Sequence, residues 1–224
     1  MDRAWTPETF PRAIKTGVLG TDVTEACVRQ AIAEVKNYPI AAYAVDMPFL
    51  PLAKGLLDGT GILLTATVGY PLGGMTLETK LHQVRYALAS GCDEINPSLH
   101  FGAIKSRNRS ALQREILEIR RCAADRLDII FIAQFHILTN DEKLWVTELI
   151  LDTGMRGVKT NGRGGTCLPE DITLIKRAFG DDVLLEASGG IRTAAEAIRM
   201  LELGASFIHS TSGYEMILER ARSS

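Results

Sequence analysis

Two ionisable residues stand in apolar runs where a folded α/β chain would ordinarily bury none. Lys159 closes Gly157-Val158-Lys159, and Glu186 sits inside Val183-Leu184-Leu185-Glu186-Ala187. A charge taken out of water is costly unless it is paired, so such positions are seldom accidental. A desolvated lysine near a second cation can lose its proton. Its free amine then attacks a carbonyl and gives a Schiff base that draws electrons from the neighbouring carbons. The following Asn161-Gly162-Arg163-Gly164-Gly165 is glycine-rich and offers the Arg163 guanidinium to the same place. A purely structural lysine–glutamate pair is the plainer alternative.

Other polar residues lie in such runs or beside their ends, counted along the chain: Lys15 in the first, Asp46 just beyond the second, Asp93, Glu94 and Asn96 with the fourth, Gln134 and His136 with the fifth, and His209 ending the eighth. Ser188-Gly189-Gly190-Ile191-Arg192-Thr193 and His209-Ser210-Thr211-Ser212-Gly213 each lead from such a run into a helical stretch. Small residues there let backbone N–H groups approach an anion, and a helix start favours negative charge. Gly189, Gly190, Thr211 and Ser212 are therefore candidate anion ligands. His82 falls within a helical pattern and reads as a surface residue, whereas His100 and His136 read as structural or pocket-lining. No histidine pair has metal-ligand spacing, so neither a metal nor another cofactor is expected. Lys105-Ser106-Arg107-Asn108-Arg109 reads as a solvated helix entry.

The elements that must position these residues follow from the pattern. Short runs at Ala13–Leu19, Ile40–Val45, Ile62–Val68, Glu94–Asn96, Ile129–Phe135, Gly157–Thr160, Val183–Ala187 and Ser206–His209 alternate with stretches of helical period. Asp22-x-x-Glu25, Thr139-x-x-Glu142 and Thr193-x-x-Glu196 read as capping boxes that open helices, and Pro169 suits a first turn. Gly91, Gly154, Gly180 and Gly204 follow helical stretches, where a left-handed residue is wanted. Eight β-α units imply a parallel sheet covered on both faces. A doubly wound sheet would show a glycine-rich turn after its first strand, but here the chain reads Leu19-Gly20-Thr21-Asp22. A (β/α)8 barrel usually needs roughly 200 residues or more, so 224 residues fit one compact barrel spanning residues 1–224. In such a barrel, the loops after strands seven and eight are the usual phosphate site.

Composition narrows the function classes. The 25 basic and 27 acidic residues leave a net charge of −2 without basic blocks, which argues against nucleic-acid and membrane-surface binding. No apolar run approaches the roughly 20 residues of a membrane span, and the opening Met-Asp-Arg-Ala-Trp-Thr-Pro is unlike a signal peptide. The four scattered cysteines lack C-x-x-C spacing and read as reduced thiols of a cytoplasmic protein.

Six segments together carry a resemblance. They are Ala66-Thr67-Val68-Gly69-Tyr70-Pro71-Leu72-Gly73, Cys92-Asp93-Glu94-Ile95-Asn96, Gly102-Ala103-Ile104-Lys105-Ser106, Val158-Lys159-Thr160, Ala187-Ser188-Gly189-Gly190-Ile191-Arg192-Thr193 and Ser210-Thr211-Ser212-Gly213. In this order and spacing, over nearly the whole chain, the sequence resembles the deoxyribose-phosphate aldolase family. The resemblance implies a compact barrel, a lysine Schiff base and cleavage of 2-deoxyribose 5-phosphate to acetaldehyde and glyceraldehyde 3-phosphate. It also implies Lys159 as the Schiff-base lysine, Gly189, Gly190, Thr211 and Ser212 as phosphate loops, and a possible homodimer. Against the family pattern, Asn96 replaces the proton-transferring aspartate and Glu186 the second lysine. Lys15 stands where strand one carries an aspartate, Ala44 where strand two carries a cysteine, and Ile130 where strand five carries a lysine. The loop at Asn161-Gly162-Arg163 is shorter and gains a guanidinium.

Strand one has thus gone from acid to base and strand seven from base to acid, which predicts a Lys15–Glu186 pair of reversed polarity. Glu186 should favour protonated Lys159 and raise its pKa. Asn96 can orient a hydroxyl or a water but cannot shuttle a proton. These departures count against the family's ordinary aldol reaction. The expectation is a divergent aldolase-like lyase acting on a small carbonyl compound or sugar phosphate. Lys159 would form the Schiff base, Glu186 would act as general acid and base, and Lys15 and Asn96 would complete the site. Lys15, Lys159 and Arg163, facing chiefly Glu186, would give a positive excess that suits an anionic substrate. The alternatives are a lysine-independent isomerase, dehydratase or lyase that uses Lys15, Lys159 and Arg163 as an anion clamp, or a non-catalytic relative.

Overall fold

A computed structural model describes residues 5–222; residues 1–4 and 223–224, the ends of the expected 1–224 span, lie outside it. The strands are β1 (Ile14–Val18), β2 (Ala42–Val45), β3 (Leu63–Val68), β4 (Glu94–Pro97), β5 (Asp128–Ile132), β6 (Gly157–Lys159), β7 (Leu184–Ser188) and β8 (Phe207–His209). All pair in parallel and in chain order, and β8 pairs back to β1 to close the barrel. The helices are α1 (Glu25–Val35), α2 (Leu50–Leu57), α3 (Leu77–Ala89), α4 (Phe101–Lys105), α5 (Arg109–Ala123), α6 (Asn140–Asp152), α7 (Pro169–Phe179), α8 (Ala194–Glu202) and α9 (Gly213–Arg222). The expected (β/α)8 fold is therefore present, with each expected run supplying one strand.

Side-chain alternation along the strands separates two interiors. Tyr43, Val45, Leu64, Ala66, Val68, Ile95, Ile129, Phe131, Val158, Leu185, Ala187 and Ile208 belong to one apolar cluster shared with the helices. Their alternates fill the barrel and include Lys15, Thr65, Thr67, Glu94, Asn96, Lys159, Glu186 and His209, all buried. The apolar layer outside supplies the stabilisation, and the polar layer inside is free to be specialised. A short turn at Phe10–Ala13 precedes β1 and buries Phe10 completely in the apolar cluster.

Local signals place most helix ends. Thr139 with Glu142 and Thr193 with Glu196 form complete capping boxes, and Pro169 opens α7. Gly91, Gly154, Gly180 and Gly204 all have positive φ. The expected box at Asp22 does not form. Thr24, immediately before the helix, is extended and its side chain accepts from the Cys27 N–H, so the helix begins at Glu25, three residues past Asp22. The segment Lys105–Arg109 is also not simply solvated. Lys105 pairs with Glu142 at 2.7 Å, Arg107 with Asp141 and Arg109 with Asp152 at 2.6 Å, strapping the α4–α5 corner to α6.

Candidate active site

Strand register brings the expected residues together inside the barrel. Lys159 lies beside Glu186 across β6 and β7, and Lys15 beside His209 across β1 and β8. Glu94 pairs in register with Thr65, and Asn96 with Thr67. Glu186 is the hub. Its Oε1 is 2.7 Å from Lys159 Nζ and 3.2 Å from His209 Nδ1, while its Oε2 is 3.0 Å from Lys15 Nζ. None of these contacts has hydrogen-bond alignment at the carboxylate, so Glu186 is held by charge more than by directed bonds. The reversed Lys15–Glu186 pair expected from the sequence is thus within hydrogen-bond reach.

A second carboxylate completes the layer. Glu94 accepts from Lys15, from Thr65 Oγ1 at 3.1 Å and from Asn96 Nδ2 at 3.0 Å. Asn96 turns its Oδ1 to Lys159 Nζ at 3.0 Å and so links Glu94 to the lysine. Lys15 also rests over the Phe207 ring, 4.6 Å from its centroid. Within the barrel two lysines face two glutamates, so the positive excess expected of Lys15, Lys159 and Arg163 reduces to Arg163 on the cavity wall. Sequence reasoning noted Glu94 and His209 at strand ends but did not place them in the site. Their burial follows only from register, which no local pattern discloses.

Electrostatics differentiate the five groups. Burial disfavours the Lys15 ammonium, but Glu186 and Glu94 outweigh it and raise its pKa. Burial likewise opposes ionisation of Glu186, yet Lys15, Lys159 and His209 hold it well below the usual carboxylate range. Burial dominates at Glu94 and raises it despite Lys15. Burial also dominates at Lys159 and lowers it, against the pull of Glu186 and with help from Lys15. Glu186 pulls Lys159 upward as expected, but the expected net rise is corrected, because desolvation outweighs the adjacent carboxylate. His209 is lowered to about 4, chiefly by burial and then by Lys159.

Above this layer opens a cavity of about 730 Å³, lined by Lys159, His209, Thr16, Thr67, Tyr70 and the loops after β6, β7 and β8. Gly189, Gly190, Thr211, Ser212 and Arg163 all line it, whereas Lys15, Glu94, Asn96 and Glu186 lie beneath. At Gly189, with φ at 108°, a Cβ would stand 2.3 Å from the Gly165 carbonyl oxygen, so only glycine fits. Thr211 and Ser212 lead directly into the N-terminus of α9. Arg163 Nη2 donates to the Leu19 carbonyl at 3.0 Å and ties the β6 loop to the β1 loop at the mouth. Arg192, which sequence reasoning left out of the site, lines the cavity as a further cation.

The remaining histidines are structural. His100 caps α4 by accepting from the Ala103 N–H, exposed His136 packs on Asn161, and His82 is exposed on α3. Among the described residues, no group of three His, Cys, Asp or Glu is arranged to hold a metal ion, and no helix is long and apolar enough to cross a membrane.

Comparison with known proteins matches this geometry to a lineage. The chain is 30% identical over 207 residues to the deoxyribose-phosphate aldolase of Bacillus cereus, covering 92% of this chain and 93% of that protein. It is 33% identical over 187 residues to that of Dictyoglomus turgidum, covering 82% and 84%. The chain belongs to the deoxyribose-phosphate aldolase family. Its class is that of an aldolase-like carbon–carbon lyase. No protein-family model matches it. Solved structures agree on the fold. The tetrameric deoxyribose phosphate aldolase of Aeropyrum pernix superposes with a TM-score of 0.91 at 23% identity, covering all of this chain and 95% of that one. The aldolase QR15 gives 0.90 at 23% identity, covering 95% and 96%.

Proposed function

We propose that the protein is a Schiff-base aldolase that cleaves or forms a carbon–carbon bond in a small phosphorylated hydroxy-carbonyl compound, with Lys159 as the nucleophile. The observation that carries this reading is the position of Lys159. Of the two lysines in the barrel layer, it alone lines the cavity, and its pKa is lowered, chiefly by burial. Lys15 sits below, is raised, and serves to balance charge. A lysine that surrenders its proton at the base of this cavity can attack a carbonyl there. The phosphate of the substrate would lie on Gly189, Gly190, Thr211 and Ser212, with Arg163 and Arg192 at the rim. Relatives named for deoxyribose phosphate support 2-deoxyribose 5-phosphate as the first compound to try. Asn96 would hold the Lys159 nitrogen from beneath, its Oδ1 accepting from Nζ while its Nδ2 donates to Glu94.

Glu186 takes a different part from general acid and base. It lies beneath the cavity and its proton affinity is low, so it fixes Lys159 and His209 in place. A lysine-independent reaction, with Lys159 as an ammonium clamp, draws its support from the 2.7 Å contact to Glu186.

Borohydride trapping separates the two. After incubation with 2-deoxyribose 5-phosphate or acetaldehyde, reduction should leave a covalent adduct on Lys159, detectable by peptide mass spectrometry and absent from Lys159→Ala. Lys159→Arg should retain less than about one part in 10³ of the activity, since a guanidinium forms no imine. Full activity in Lys159→Ala without any adduct would overturn the Schiff base.

A further inference from the structure

The aldol step needs one group that accepts a hydroxyl proton and later delivers it to carbon, and the layer beneath the cavity does not supply it. Asn96 carries an amide that neither gains nor loses a proton at ordinary pH. Glu94 and Glu186 do not line the cavity. Among the described lining residues, the guanidiniums of Arg163 and Arg192 offer donors and no acceptor, burial raises Tyr43 and Tyr70 and keeps both phenols neutral, and Tyr214 stands on α9, away from the strands. Glu34 and Glu215 lie exposed on α1 and α9, on the helix ring and not on the strands that carry Lys159. That leaves His209.

We propose that His209 is the proton-transfer residue of the carbon–carbon step, oriented by Glu186; this rests on the Lys159 Schiff base argued above. The ring is buried, lines the cavity and shares the Glu186 Oε1 atom with Lys159 Nζ. An ionised Glu186 can only accept, so the tautomer it selects carries the proton on Nδ1 and leaves the Nε2 lone pair as the base. The contact, 3.2 Å without hydrogen-bond alignment, is of the kind that tightens around a bound substrate.

The step balances within the site. In the β-hydroxy iminium formed on Lys159, Nε2 takes the hydroxyl proton as the carbon–carbon bond breaks. The oxygen becomes the carbonyl of the released aldehyde, and the bonding pair moves to the iminium, giving an enamine. The imidazolium then returns its proton to the enamine carbon, water hydrolyses the new iminium, and the amine and carbonyl product are released. The groups facing His209 are Glu186 on β7, Lys159 on β6 and Lys15 on β1. The two cations disfavour the imidazolium, which makes it a ready donor to carbon.

The test uses the full-length protein, acetaldehyde as probe, and His209→Asn and His209→Gln. Reductive trapping reports the imine on Lys159, and exchange of the acetaldehyde methyl hydrogens in D2O, followed by NMR, reports proton transfer at carbon. The variants should form the adduct within about threefold of wild type, yet exchange about 10²-fold or more slowly, in the range of a lost general base. Added imidazole should restore part of the exchange. Exchange at the wild-type rate in either variant overturns the proposal. So does loss of the adduct in variants that melt like wild type, since His209 would then serve the imine and not the carbon step. Absence of an adduct in wild type instead overturns the Schiff base itself.

Discussion

At the scale of single residues, the site is defined by which charges touch the cavity and which lie under it. Lys159 and His209 are above the line; Lys15, Glu94 and Glu186 are below it. Removing a charge from the lower group breaks a buried pair, a change that costs about 3–5 kcal/mol when the partner stays charged. Glu94→Gln should therefore lower stability at pH 7 by about 3 kcal/mol, measured by urea denaturation. Because burial raises the Glu94 pKa, this carboxyl protonates above the usual carboxylate range as pH falls. The native state then takes up this proton more readily than the unfolded chain, so wild type gains stability relative to the variant and the difference should grow toward pH 5. A difference that shrinks in acid would refute the assignment. Lys159 and Glu186 were legible in the sequence because each interrupts an apolar run. Glu94 was not, because its neighbours Asp93 and Asn96 are polar too, and only the pleat shows which of them points inward.

At the scale of elements, glycines and caps position the anion loops. Gly189 passes so close to the Gly165 carbonyl, at positive φ, that a methyl group there must displace the β6 loop or the β7 loop. Gly189→Ala should raise KM for a phosphorylated substrate at least about tenfold, the loss of roughly 1.4 kcal/mol of binding at the phosphate. An unphosphorylated aldehyde should react nearly as before, and equal losses for both would place the anion elsewhere. The strands were readable from run lengths, and the Thr139 and Thr193 caps from their three-residue spacing to a glutamate. The same spacing misled at Asp22. Two capping residues stand near one another there, and Thr24 wins because its backbone is the extended one at the helix start.

At the scale of the whole molecule, pH acts through the sealed layer. His209 is held at about 4 against a usual 6.5, so between these values the unfolded chain binds a proton that the native barrel refuses. More protons on the unfolded state means that stability rises with pH, so the native state loses free energy as pH falls from about 6.5 to 4. The shift amounts to at most about 3 kcal/mol. Glu186, held low, adds loss further into acid, and Glu94, held high, opposes part of it. Comparing denaturation of wild type and His209→Asn at pH 7 and pH 4.5 isolates the histidine: the variant should lose less. An equal loss in both would show that the imidazole is not shielded. The barrel itself was legible from eight alternating units and the absence of a dinucleotide turn. Its interior was not, because closure brings β1 against β8 and sets Lys15 beside His209, residues 194 positions apart only in the chain.

The four barrel charges also constrain descent. Lys15 and Lys159 balance Glu94 and Glu186, and the resembled pattern carries an acid on the first strand and a lysine on the seventh. Changing either strand alone leaves three like charges around one opposite charge in a buried layer. A lineage can move between the two arrangements only by changing both strands together, or by first neutralising one position. The reversed polarity is thus a trait that, once acquired, resists being undone one residue at a time.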